Sequence, residues 1–73
     1  MAIIEIKTDI TGTVWKVLKS VGDAVEEDEP IIILESMKME IPVASPERGI
    51  VREILVKEGD TAPEGSVVAR VEA

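Results

Sequence analysis

Seventy-three residues contain no Cys, His, Tyr or Phe, and fifteen acidic residues against eight basic ones give a net charge of -7 at pH 7. The missing residue types exclude disulfides, thiol and imidazole catalysis and the common zinc ligand sets, and the negative charge repels nucleic-acid phosphates and anionic lipid. A chain this short is expected to form one domain over residues 1–73, with a thin core, since it buries only about 60% of the surface its unfolded form exposes.

The first strand candidate, residues 3–7 (IIEIK), alternates apolar with polar positions. Residues 13–18 (TVWKVL) follow and carry Trp15, the only aromatic, which reads as packing partly against the sheets or a neighbouring loop. Val14, Val17, Leu18 and Val21 approach a helical spacing, but valine-rich segments favour the pleated surface, so a strand is expected. Gly22-Asp23 predicts a turn and a short strand after it. The acidic run Glu26–Glu29 reads as a solvated loop, with a docking surface for a basic partner as the alternative. Residues 30–35 (PIIILE) hold the longest purely apolar run, Ile31–Leu34, which is far too short to span a bilayer. Further strands are predicted over 39–43 (MEIPV), 50–56 (IVREILV) and 66–72 (SVVARVE), with a second short one after Gly59-Asp60. With no signal-peptide pattern at the N-terminus, the expectation is a cytoplasmic protein without membrane or nucleic-acid partners and without a structural metal.

Shifting the sequence by 37 positions superimposes its halves: Gly12 falls on Gly49, Gly22-Asp23 on Gly59-Asp60, Val14 on Val51, Leu18 on Leu55 and Leu34 on Val71. Two copies of one unit, neither able to bury its apolar face alone, predict a pseudo-symmetric pair closing a single core.

Between the third and fourth long strands lies ESMKME, residues 35–40. If these strands pair through a two-residue turn, Met37 and Lys38 occupy its centre, Glu35 faces Glu40, and Leu34 faces Ile41. Such turns need positive φ at both central residues, which is why Asn-Gly and Asp-Gly dominate them. Met-Lys is the wrong chemistry, and like charges directly opposite one another are unfavourable. A segment that breaks two local rules where everything around it agrees points to a functional site. An exposed lysine amine is protonated near neutrality and is a poor nucleophile unaided, so its activation must come from a partner enzyme. Lys38 therefore reads as a recipient of modification and not as a catalytic residue.

ESMKME, within ILESMKMEIPVASPERGIVREI and followed by KEGD, resembles the biotinyl domains and their close relatives, the lipoyl domains, over essentially the whole chain. The resemblance implies an all-β fold: a flattened β-barrel, or sandwich hybrid, of two four-stranded antiparallel sheets with quasi-two-fold symmetry. It implies that Lys38 bears covalent biotin, that Met37 and Met39 are the flanking recognition motif, and that Glu35, Ser36 and Glu40 are candidates for ligase recognition. Ser36 departs from the alanine common at that position. The partners implied are a biotin-protein ligase and the biotin carboxylase and carboxyltransferase components of a carboxylase, served by a monomeric carrier that is not itself an enzyme. The constant offset leaves no room for the thumb loop of some acetyl-CoA carboxylase carriers, and the early first strand favours a standalone attachment protein.

Two alternatives stay open. A lipoyl-accepting or dual biotin/lipoyl protein shares the scaffold, although lipoyl domains usually present their lysine after Asp or Val and before Ala. A non-modified interaction module of the same fold is the other; such modules lack the Met-Lys-Met tip.

Overall fold

The computed structural model describes residues 2–73, and Met1 lies outside the described residues. Eight strands follow in order: β1 (Ile3–Lys7), β2 (Gly12–Val17), β3 (Ala24–Val25), β4 (Pro30–Ser36), β5 (Met39–Ala44), β6 (Gly49–Ile54), β7 (Thr61–Ala62) and β8 (Val67–Glu72). They form two antiparallel four-stranded sheets, ordered β1-β8-β6-β3 and β5-β4-β2-β7. The segment Val14–Val21, with its near-helical spacing, is strand followed by turn.

The sheets stack as the flattened sandwich of two four-stranded antiparallel sheets that the resemblance implies, without closing into a continuous barrel. Their hydrogen-bonded ladders stay separate, and between the facing edges β1 and β5 lies an open crevice of about 120 Å³ lined by Lys7, Asp9, Ile10 and Ile41–Ala44. The opposite edges, β3 and β7, are only two residues long each. Edges that short leave little backbone to pair, so side-chain packing joins the two layers.

One apolar layer fills the space between the sheets. Ile31, Ile32, Leu34, Val25, Val51, Val68, Ala69 and Val71 are fully buried, with Val14, Ile6 and Ala62 nearly so. Two hydroxyls are buried among them, Thr8 and Ser45, and each donates to the carbonyl two residues ahead, Ile10 and Glu47 respectively. No buried side-chain polar atom lacks a partner among the described residues, as a core this thin requires.

Hydrogen bonds recur in pairs whose members stand 37 positions apart. Gly22 donates to the Val51 carbonyl at 2.7 Å and Gly59 to the Val14 carbonyl at 2.8 Å; Val51 in turn donates to Asp23 and Val14 to Asp60, both at 2.8 Å. The turn of each half thus bonds to the strand of the other. Gly12 and Gly49 are matched in the same way, because a Cβ there would stand 2.9 Å from the Glu35 carbonyl oxygen and closer still to that of Glu72. Only a glycine admits so close an approach.

Candidate functional site

All connections but one cross from sheet to sheet. The exception joins β4 directly to β5, and it carries Met37 and Lys38. Its counterpart, 37 positions on, is the pairing of the chain's two ends, where Ala2 donates to the Ala73 carbonyl at 3.0 Å and Ala73 to that of Ala2 at 2.9 Å. Among the described residues, β4–β5 is therefore the one same-sheet hairpin tip.

The ladder has the register that the sequence predicts: Leu34 pairs with Ile41, Glu35 with Glu40 and Ser36 with Met39. Met37 and Lys38 lie at φ 52° and 65°, both in the left-handed region. These are the positive values a tight hairpin turn demands, imposed on side chains that disfavour them. The strain persists because Leu34, fully buried just beneath, fixes β4 in the core.

The tip is built to stand out from the body. Met37 is 91% exposed and Met39 62%; Lys38, Glu35 and Glu40 are exposed as well, with Ser36 half-buried. Lys38 forms no salt bridge, nor does Glu35 or Glu40, among the described residues. The tip thus presents a free primary amine, two flexible thioethers and two unneutralised carboxylates on a rigid stem. No group of three or more metal-ligating side chains gathers among the described residues. No described helix is long and apolar enough to cross a membrane.

The acidic run is loop, with Glu26, Asp28 and Glu29 engaged. The Glu29 carboxylate accepts from the Glu26 amide at 2.9 Å and lies 3.0 Å from the Lys19 amine. The backbone bond first, and Lys19 second, hold its pKa below the usual glutamate value.

A family model described as "Biotin-requiring enzyme" matches residues 3–71. The chain belongs to the biotin/lipoyl attachment family. The chain is 44% identical to a biotin/lipoyl attachment protein of Bacillus subtilis over 63 residues, 86% of both chains. It is 43% identical over 60 residues to the dihydrolipoyllysine-residue acetyltransferase component of the pyruvate dehydrogenase complex of Corynebacterium glutamicum, covering 82% of this chain and 9% of that one. The crystal structure of the Kluyveromyces lactis urea carboxylase superposes with a TM-score of 0.93 at 36% identity, over 99% of this chain and 6% of that one. The chain thus matches a small attachment protein over most of its length and the two large enzymes over a small part of theirs.

Proposed function

We propose that this chain is a biotin carrier whose acceptor is Lys38. The observation that carries the reading is the geometry of the turn: an amine free of ion pairs, held at the centre of a strained two-residue turn between two exposed methionines. Family membership and the likeness to a carboxylase support it.

In the proposed modification, a biotin-protein ligase supplies the acyl group as its adenylate. The Lys38 amine loses a proton and attacks the acyl carbon; an amide bond forms, the acyl–phosphate bond breaks, and AMP leaves. Held on Lys38, the group would supply a ring nitrogen able to carry carboxylate between the biotin carboxylase and carboxyltransferase components of a carboxylase. The chain's own contribution is mechanical. The buried stem of β4 keeps the amine clear of the body, and a tether on a rigid mount makes each delivery an intramolecular encounter at high effective concentration. Met37 and Met39 flank the amine with apolar, adaptable surface that a ligase pocket can cover. Glu35 and Glu40, with Ser36 between them and the turn, offer negative charge that steers a basic ligase surface toward the tip more than it adds affinity. The carrier works as a monomer in the cytoplasm.

A second reading has an observation of its own, the 43% identity to a dihydrolipoyllysine component: Lys38 also accepts lipoate. Intact mass after incubation of the chain with each ligase and its substrate separates the two readings, and Lys38→Arg abolishes either adduct.

A further inference from the structure

The two sheets turn very different outer faces to solvent. On the sheet without the tip, Glu5, Arg70 and Glu53 stand in one row across β1, β8 and β6. Arg70 donates to Glu53 at 2.9 Å and reaches Glu5 at 3.4 Å, and one step further along Arg52 donates to Glu72. Each of those carboxylates on that face has a guanidinium partner.

The positions 37 apart on the tip-bearing sheet are Pro42, Ile33 and Lys16, likewise in one row across β5, β4 and β2. The ion triad has become an apolar pair with a lysine. The Arg52–Glu72 pair has become Trp15 and Glu35, so Glu35 lacks the arginine that neutralises its counterpart. Trp15 sits at a β-bulge, between the paired positions Val14 and Lys16. It remains 42% exposed, and the Lys16 amine lies 5.5 Å from the centre of its ring. An exposed tryptophan on the sheet that carries the tip and its two carboxylates has the composition of a binding hot spot.

We propose that this face, centred on Trp15 and edged by Glu35 and Glu40, is the docking surface for the enzyme that acylates Lys38. The proposal rests on the reading of Lys38 as the acceptor. A free lysine amine extends only one side chain from the backbone, so an enzyme that acylates it must close over the tip and the strands behind it. A partner that uses the attached group meets it at the end of a much longer arm. The matching surface on the acylating enzyme is an apolar recess for the indole, with cationic side chains opposite the two carboxylates.

The test is the steady-state rate of Lys38 acylation of the whole chain by a biotin-protein ligase, followed by intact mass. Trp15→Ala is expected to raise the KM for the carrier about tenfold or more with kcat little changed, while Trp15→Phe recovers part of the loss. Arg52→Ala, the equivalent position on the other sheet, is expected to change neither constant, and circular dichroism checks that each variant is folded. Because Trp15 is the only tryptophan in the chain, a second readout uses ligase with its own tryptophans replaced: carrier emission shifts on mixing. If wild type is acylated at Lys38 and Trp15→Ala keeps its KM, the docking proposal falls and the carrier reading stands. If wild type gains no adduct at Lys38, both fall. A self-association in sedimentation that Trp15→Ala abolishes assigns the face to a second copy and overturns the proposal. An emission shift caused by acylation alone assigns it to the attached group, with the same consequence.

Discussion

Glu35 stands directly across the β4–β5 ladder from Glu40, one residue pair behind the turn, and among the described residues no cation pairs with either. Like charges in that relation cost stability. Replacing both by Gln is predicted to raise stability by about 0.2–1 kcal/mol in urea unfolding. The same variant is predicted to slow ligase acylation at low ionic strength, with the difference shrinking as salt screens the approach. Equal rates for wild type and variant at both salt levels end the recognition role of the two acids.

The turn itself stores strain. Met37 and Lys38 both adopt positive φ without being glycine. Asn-Gly in their place suits the same geometry, so the double variant Met37→Asn/Lys38→Gly is predicted to be more stable by about 1–2 kcal/mol while accepting no cofactor. Thermal unfolding reads this as a rise in Tm, and a fall argues against a strained tip.

Leu34 is fully buried beneath the tip, whereas Leu18 is 48% exposed. Leu34→Ala is predicted to cost about 2–5 kcal/mol, a large share of the roughly 5–15 kcal/mol that hold a domain together. Leu18→Ala should stay within about 0.5 kcal/mol of wild type. The urea midpoints of the two variants make the comparison directly.

The Glu29 carboxylate is held below the usual glutamate pKa by the Glu26 amide and by Lys19. A group whose folded pKa is depressed contributes stability above its unfolded pKa, about 4.3 for glutamate, and loses it as pH falls through the folded value. Wild type should therefore exceed Glu29→Gln in urea midpoint at neutral pH. Titration downward is predicted to close that gap below about pH 4.3. A gap that stays constant to low pH contradicts the assignment.

Much of this architecture is legible in the residues, for identifiable reasons. Alternation located the six longer strands, and the Gly-Asp pairs located β3 and β7, because each half uses the same turn to cross between sheets. The register of Glu35 with Glu40 followed from placing Met37-Lys38 at a two-residue turn. The bulges at Trp15 and Arg52 were not legible, since a bulge breaks the period of two that strand reading relies on. The outer position of Trp15 depends on that bulge, so its exposure came only with the structure. Patterning reports which face of a strand is buried and says nothing about whether sheet edges meet, so the pairing of two four-stranded sheets is legible and the open β1–β5 edge is not.

Lys38 alone, among the chain's five lysines, is the proposed acceptor. Intact mass of the whole chain after incubation with a biotin-protein ligase, biotin and ATP, with peptide mapping across residues 31–48, tests it most directly. The expected result is one biotinyl group per chain, located on Lys38, and none on Lys38→Arg. An adduct that persists on Lys38→Arg, or a wild-type chain that gains none, contradicts it.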